Sequence, residues 1–179
     1  MKRFLSIILT FLFLASVPCE AKRHPDNEKR HERCENHGKR HHRPSYYIGS
    51  DVVLYDGQAV KGASPSSFRV LKDGYALDTW AVYYRGRKIR GASSDSFSVM
   101  GNGYAKDTWS VYYKGEKIKG ASSDSFTVLR DGYARDTWSV YYDGVKVKGA
   151  NPDSFSCGRD GYAKDTWNTY YRGRKVEKR

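Results

Sequence analysis

Tyrosine and lysine recur at fixed positions along most of the chain, and together they could form a ligand-binding surface. Both residue types return every 29 residues, which places repeated copies of each side chain on one surface. Aromatic rings stack on sugar rings or nucleobases, and ammonium groups attract anionic polymers. The ligand-binding residues predicted on this basis are Tyr83, Tyr112, Tyr141, Tyr170, Lys88, Lys117, Lys146 and Lys175.

A second group of residues with metal-ligating chemistry lies near the N-terminus. All five histidines of the chain fall between residues 24 and 42, together with one cysteine. Imidazole and thiolate groups at these spacings could gather around Zn, Ni or Cu, although the pattern matches no fixed zinc-finger spacing. A basic, His-rich segment that holds metal only loosely is the alternative, and no other cofactor is expected. The predicted ligands are His31, Cys34, His37 and His41.

The acidic residues of the repeats do not indicate an enzyme. Aspartate recurs in columns such as Asp107 and Asp136. Near-identical copies do not provide the two different environments that separate the pKa values of a catalytic pair. No histidine lies between residues 44 and 179 to act as a base. We therefore expect no catalysis, and we expect these aspartates to accept hydrogen bonds from backbone amides at turns.

Segment 1–21 has the features of a secretory signal peptide. Two basic residues precede an apolar run over residues 4–17, which is shorter than the ~20 residues that a membrane-spanning helix needs. Small residues at Cys19 and Ala21 favour cleavage after Ala21. We expect a secreted, periplasmic or cell-surface protein with no transmembrane span after cleavage. A lipid anchor at Cys19 and an uncleaved anchor helix are the alternatives.

Residues 22–45 form a segment with many charges and no large apolar side chain. Such a segment buries too little surface to offset the entropy of ordering, so the sequence predicts a disordered basic arm. In an oxidising compartment its Cys34 could form a disulfide with Cys157. The alternative is that Cys157 is a small core residue, because valine occupies its position in other repeats.

Residues 46–179 form a tandem repeat with a period of 29 residues. The heptad DTWSVYY occurs at 107–113 and again at 136–142, and near-copies lie on either side. A degenerate first copy carries Asp51 at the position of the tryptophan. Terminal units of repeat arrays are atypical because each lacks one neighbour, so we expect four to five units.

Within each unit the apolar residues alternate with a period of two, which indicates short β-strands. The turn Lys114-Gly115 predicts a tight hairpin, in which Tyr112 faces a lysine of the return strand. The alternation then places Trp109, Val111 and Tyr113 in the core and Tyr112 on the exposed side. With about three short strands per unit, the prediction is an all-β fold, a quasi-linear, solenoid-like array of β-hairpin repeats.

The sequence GASSDSFTVLRDGYARDTWSVYYDGVKV at 120–147, with its neighbouring copies over 46–179, resembles the repeats of the DKNYY family. That family consists of secreted and lipoprotein-like bacterial proteins. Thr-Trp stands here where the family name has Lys-Asn. The resemblance implies tandem repeats and an extracytoplasmic location, and it brings no catalytic residues.

These features predict a non-catalytic secreted protein that binds or scaffolds at the bacterial envelope through its Tyr/Lys surface. The net charge of +12 favours an anionic polysaccharide, an envelope surface or a protein as the partner. Nucleic acid ranks lower, because a secreted chain meets anionic glycans first. The alternatives are a purely structural envelope protein, in which lysine stems cover the tyrosines, and a metal-binding protein that uses the arm.

Overall fold

Short antiparallel strands dominate residues 45–177, the part of the chain that the computed structural model describes. The predicted signal peptide, the arm as far as residue 44 and residues 178–179 lie outside it. The 19 described strands form five antiparallel sheets, one for each repeat, which we call units 1 to 5. The all-β repeat fold is thus confirmed.

Unit 1 has three strands and each later unit has four, hydrogen-bonded in the order in which they occur in the chain. Unit 1 contains β1 (Tyr46–Ile48), β2 (Val53–Tyr55) and β3 (Gln58–Ala59). Unit 2 contains β4 (Arg69–Val70), β5 (Tyr75–Leu77), β6 (Val82–Tyr84) and β7 (Arg87–Ile89), with short 3-10 turns at Pro65–Ser67 and Lys72–Gly74. Unit 3 contains β8 (Ser98–Gly101), β9 (Tyr104–Lys106), β10 (Val111–Tyr113) and β11 (Glu116–Lys117). Unit 4 contains β12 (Thr127–Val128), β13 (Tyr133–Arg135), β14 (Val140–Tyr142) and β15 (Val145–Lys146). Unit 5 contains β16 (Ser156–Cys157), β17 (Tyr162–Lys164), β18 (Thr169–Tyr171) and β19 (Arg174–Lys175).

Each of units 2 to 5 contains one strand more than the sequence predicted. In unit 3 this strand is β9, which pairs with β8 on one side and with β10 on the other. The chain turns between β9 and β10, at Asp107 to Ser110, so YAKDTWSVYY forms two strands. The N–H of Asp107 donates to the carbonyl of Ser110 across this turn, at 3.0 Å.

The predicted hairpin turn and its register are confirmed. Tyr112 pairs with Lys117 and Tyr113 pairs with Glu116. Both residues of the turn between β10 and β11 have positive φ, 49° at Lys114 and 85° at Gly115. This is the backbone that a two-residue hairpin of the primed type requires, and glycine adopts it without steric cost.

The apolar core lies between neighbouring units, so each unit is completed by the next. The cluster between units 3 and 4 takes one half of its buried side chains from each. In it the rings of Tyr104 and Phe126 lie 5.5 Å apart. Such a core cannot form from one unit alone, which is typical of repeat arrays. Its buried members are Tyr104, Val111 and Ile118 from unit 3 and Phe126, Ala134 and Tyr141 from unit 4.

A tyrosine hydroxyl bridges each pair of neighbouring units. The hydroxyl of Tyr75 donates to the carbonyl of Gly103 at 2.9 Å and accepts from the N–H of Gly115 at 3.0 Å. Both partners lie in the next unit, at its two glycine turns. The tyrosines that make the same bridge are Tyr46, Tyr104 and Tyr133.

The hairpin glycine of each later unit packs flat against the preceding unit. A Cβ atom added at Gly115 would lie 2.7 Å from the Cβ atom of Tyr84 and 2.9 Å from its Cγ atom. No real Cβ atom fits at that distance, so glycine is needed here for close approach as well as for its positive φ. The equivalent glycines are Gly86, Gly144 and Gly173.

Candidate functional site

Each complete repeat buries an aspartate at the turn before its third strand. In unit 3, Oδ1 of Asp107 accepts hydrogen bonds from the N–H groups of Trp109 (2.8 Å) and Ser110 (2.7 Å). Its Oδ2 accepts from the N–H of Ser93 (3.0 Å) and from the hydroxyl of Tyr112 (2.9 Å). Both oxygens are satisfied within the protein. The expectation that these aspartates bind backbone amides at turns is confirmed.

The aspartate–tyrosine pair is repeated in every four-stranded unit. The hydroxyl-to-Oδ2 distance lies between 2.9 and 3.0 Å in the other three pairs. Such uniformity indicates a structural element of the repeat. The other pairs are Asp78–Tyr83, Asp136–Tyr141 and Asp165–Tyr170.

The pKa values of the aspartate and the tyrosine lie far from neutral pH, one below it and one above it. Burial acts to raise the pKa of Asp165, but hydrogen bonds from three backbone N–H groups and from Tyr170 outweigh it and lower this pKa to about 2. Burial and the hydrogen bond to Asp165 raise the pKa of Tyr170 to about 12. The carboxyl is therefore ionised and the phenol protonated at pH 7, which does not suit general acid–base chemistry.

The tyrosines predicted to bind a ligand are in the core, so this part of the sequence prediction is wrong. The ring of Tyr112 lies 5.8 Å from that of Phe97, and its hydroxyl is bound by Asp107. Tyr112 also belongs to the core cluster that unit 2 shares with unit 3. Residue alternation along one strand does not reveal this cover, because it comes from Phe97 and Asp107 elsewhere in unit 3 and from the core residues of unit 2. The correction applies to Tyr83, Tyr112, Tyr141 and Tyr170, which are 0–1% exposed.

The tryptophans, which we expected in the core, are highly exposed. Trp109 precedes β10, and its N–H is held by Asp107 in the turn, so the strand alternation does not extend to it. The core position predicted at Val111 is confirmed, and Tyr113, also predicted in the core, is half-buried. We call the four exposed residues the tryptophan column. Its members are Trp80, Trp109, Trp138 and Trp167, with exposed fractions of 80, 82, 76 and 76%.

The lysines of the predicted surface are exposed, as expected. They form the lysine column, which consists of Lys88, Lys117, Lys146 and Lys175. In unit 5 both columns reach the same open groove of about 490 Å³, which Trp167, Lys175 and Val176 help to line. Trp167 and Lys175 thus line one groove there.

A second groove, of about 480 Å³, is lined by residues of units 2 and 3 and is strongly basic. Arg85, Arg87 and Lys88 come from unit 2 and Lys114 from unit 3, with Glu116 as the acidic residue. The Nζ atom of Lys114 lies 4.9 Å from the ring centre of Tyr113, within reach of a cation–π interaction. The surplus of cations gives this groove a potential that attracts anions.

No group of three or more His, Cys, Asp or Glu side chains suited to a metal ion occurs among residues 45–177. The predicted ligands of the arm lie outside the described residues. They are His31, Cys34, His37 and His41.

Cys157 lies half-buried in β16, where it pairs with Ala163. Val128 of unit 4 pairs with Ala134 in the same way, so the cysteine does occupy the valine position of the repeat. Burial raises the pKa of its thiol. Cys34 lies outside the described residues, and the disulfide between the two stays a prediction.

One feature of the sequence could have predicted that the tryptophans are exposed. An aspartate two residues before Trp109 can accept the N–H groups that follow it, a local pattern that favours a turn over a strand. The heptad DTWSVYY therefore starts with a turn, and its strand covers only the last three residues. The alternation of the strand does not continue through that turn, which is why it predicts the wrong side for Trp109.

The fold and the buried aspartate–tyrosine pairs define a tandem-repeat protein built from small antiparallel sheets. The chain belongs to the DKNYY family, whose family model matches residues 46–175. The comparison with curated proteins and that with solved structures each gave no match. Within residues 45–177 there is no helix of the length and hydropathy needed to cross a membrane.

Proposed function

We propose that this DKNYY-family protein is a non-catalytic binding protein of the cell envelope and that it holds an anionic polysaccharide through the tryptophan and lysine columns. The observation that carries the proposal is the exposure of four tryptophans at the same turn of four successive units. Each is fixed at its backbone by a hydrogen bond of 2.8 Å to the buried aspartate. The ring is thereby presented on a rigid support.

Exposed tryptophan is unfavourable in water unless it contacts a partner. A large apolar ring gains free energy when it is covered, and tryptophan contributes strongly to binding surfaces for this reason. The core clusters of units 1 to 5 are filled without the four indole rings. Folding therefore does not account for this column, whereas stacking on the apolar side of sugar rings does.

The charged residues favour an anionic ligand. The lysine column, the basic groove between units 2 and 3 and the net charge of +12 all act in the same direction. A polysaccharide repeats its own binding groups, so one molecule can contact several units. Linked weak contacts of this kind give an affinity well above that of a single unit.

The N-terminal segment and the family support an extracytoplasmic location for this binding. Segment 1–21 has the composition of a secretory signal, and the resemblance to the DKNYY family implies an extracytoplasmic location. Anionic glycans are abundant polymers on that side of the membrane.

Intrinsic fluorescence tests the proposal directly, because the chain contains four tryptophans and all of them belong to the column. Polygalacturonate, an anionic polysaccharide, should shift the emission to shorter wavelength and protect the indole rings from acrylamide. Dextran, a neutral polymer, should do so less. Salt at about 0.5 M should weaken the anionic contribution.

Variants separate binding by the column from adhesion by charge. Replacing one tryptophan by serine should weaken binding modestly, and replacing two should weaken it by more than about tenfold, because linked contacts multiply. Val70→Ser is the matched control, since Val70 is an exposed apolar residue outside the column. If polygalacturonate leaves the emission and the quenching unchanged, the proposal is wrong and a purely structural role is favoured.

A further inference from the structure

We propose that a second copy of this chain docks its unit 1 on the outer side of unit 5, so that the repeat stack continues head to tail between molecules. The two surfaces concerned are the two halves of one interface that the chain already makes four times, between units 1 and 2, 2 and 3, 3 and 4, and 4 and 5. Continuity with that interface identifies the occupant.

Unit 5 presents the first half of the interface without cover from any described residue. Tyr162 occupies the position of Tyr133, whose hydroxyl bridges to unit 5 and whose ring is buried. Tyr162 is instead 50% exposed, and Tyr171, at the position of Tyr142, is 38% exposed. Val176 adds a third exposed apolar side chain there.

Unit 1 presents the second half. Gly57 is its hairpin glycine, and no atom of residues 45–177 lies within 4 Å of a Cβ atom added there. In each later unit the equivalent position is filled by a tyrosine of the preceding unit, within 2.7 Å at Gly86 for example. Tyr47 of the same unit is 64% exposed, at a sequence position where units 2 to 5 have buried alanines.

The groups on the two surfaces match in chemistry. In the chain, the carbonyl of Gly103 accepts both the N–H of Lys114 and the hydroxyl of Tyr75. The equivalent carbonyl in unit 1 is that of Ser45, which accepts the N–H of Asp56. The docked arrangement lets the hydroxyl of Tyr162 donate to this carbonyl and accept from the N–H of Gly57.

The aromatic residues of unit 1 differ from those of the later units. Unit 1 has no equivalent of the phenylalanine found in units 2 to 5, and its Tyr47 is an exposed aromatic residue at the alanine position.

The contact between molecules is expected to be weaker than those within the chain. Thr169 stands where the other units carry a buried valine such as Val140, so less apolar surface is buried. Because the interface uses different surfaces on the two partners, it is heterologous and leads to open chains or closed rings of molecules. Association should therefore grow with concentration without stopping at a dimer.

Sedimentation velocity of the purified full chain, over about three decades of concentration, tests the proposal, because mass action should raise the average mass. Gly57→Asn should block the unit 1 side. Gly120→Asn is its control, because φ is +77° at Gly57 and +74° at Gly120 and no described residue comes within 4 Å of an added Cβ atom at either position. Asparagine tolerates positive φ, so both variants should fold. Tyr162→Ser should block the unit 5 side.

A mixing experiment distinguishes head-to-tail docking from other contacts. Gly57→Asn and Tyr162→Ser should each be monomeric alone and should form a 1:1 dimer when mixed, since each retains the surface that the other lacks. Association of Gly57→Asn with itself would overturn the proposal in favour of a contact between two unit 5 surfaces. A chain that stays monomeric at every concentration would overturn it as well, and would indicate that another part of the same chain covers unit 5.

Discussion

The hydroxyl of Tyr112 donates a hydrogen bond of 2.9 Å to Oδ2 of Asp107, and both side chains are buried. This one contact joins the centre of β10 to the turn that precedes it. The same oxygen also accepts the N–H of Ser93, which lies in the segment before β8. The pair therefore fixes three separate parts of unit 3, and its repetition explains why each unit has the same backbone.

We expect substitutions of Asp107 and Tyr112 to have non-additive effects on the free energy of unfolding. Tyr112→Phe removes a buried hydrogen bond and should lower the free energy of unfolding by about 1–2 kcal/mol. Asp107→Asn places an amide donor among groups that themselves donate, and should lower it by about 2–4 kcal/mol. In a double-mutant cycle measured by urea unfolding, the coupling should be about 1 kcal/mol or more.

The control for this cycle is Tyr47→Phe, which alters an exposed tyrosine. It should change the free energy of unfolding by less than about 0.5 kcal/mol. Additive effects of the two core substitutions would contradict the central role that we assign to the pair.

Close packing at the hairpin glycines predicts a difference between two glycine substitutions. Gly115→Ala and Gly120→Ala both place alanine at positive φ, 85° and 74°, which costs about 1 kcal/mol in each case. At Gly115 the new methyl group also meets Tyr84, so the total loss should reach about 2–4 kcal/mol. Thermal and urea unfolding of the two variants measure the difference. Equal losses would show that the close approach of the two units has no energetic consequence.

The buried aspartates make the fold sensitive to acid. The pKa of Asp165 is lowered to about 2 in the folded chain and lies near 4 in the unfolded chain, so this group stabilises the fold above pH ~4. The stabilisation, about 2 kcal/mol, is lost as the pH falls from ~4 towards ~2. The pKa values of Asp78 and Asp107 are lowered as well, so the stabilisation that these two groups provide is also lost as the pH falls.

Urea unfolding at a series of pH values between about 2 and 7 checks this dependence. The free energy of unfolding should be nearly constant from neutral pH to about 5 and should then decline. Asp165→Asn should make the decline shallower, because one of the groups that bind a proton on unfolding is gone. A stability that rises as the pH falls below 4 would be incompatible with the structure.

The tryptophan column should contribute almost nothing to stability. Trp109→Ser removes an indole ring that is 82% exposed, and the free energy of unfolding should change by less than about 0.5 kcal/mol. Tyr112→Ser, by contrast, empties a core position and should cost about 3–5 kcal/mol. Acrylamide should quench the native protein almost as strongly as the urea-unfolded one. A strongly protected native emission without ligand would place the indole rings in contact with the protein.

The sequence alone was sufficient for the local features of the fold. Positive φ at Lys114 and Gly115 follows from the short turn between two apolar strands, and this turn sets Tyr112 opposite Lys117. The number of units follows from the 29-residue period, and the role of Asp107 follows from its position before a run of N–H groups. The two turns depend on contacts within one repeat, and the number of units depends only on the period.

Which side of each strand is covered was decided only by the tertiary structure. The sides of β10 are equivalent in a single repeat, and alternation separates them without saying which one meets a neighbour. Packing of units 2, 3 and 4 buries both Val111 and Tyr112, because successive residues of β10 point to two different core clusters. Trp109 stays outside because it belongs to the turn of Asp107 and not to the strand. A central strand of a stacked array has neighbours on both sides, and these come from residues about 29 positions away, where the pattern of one unit carries no information.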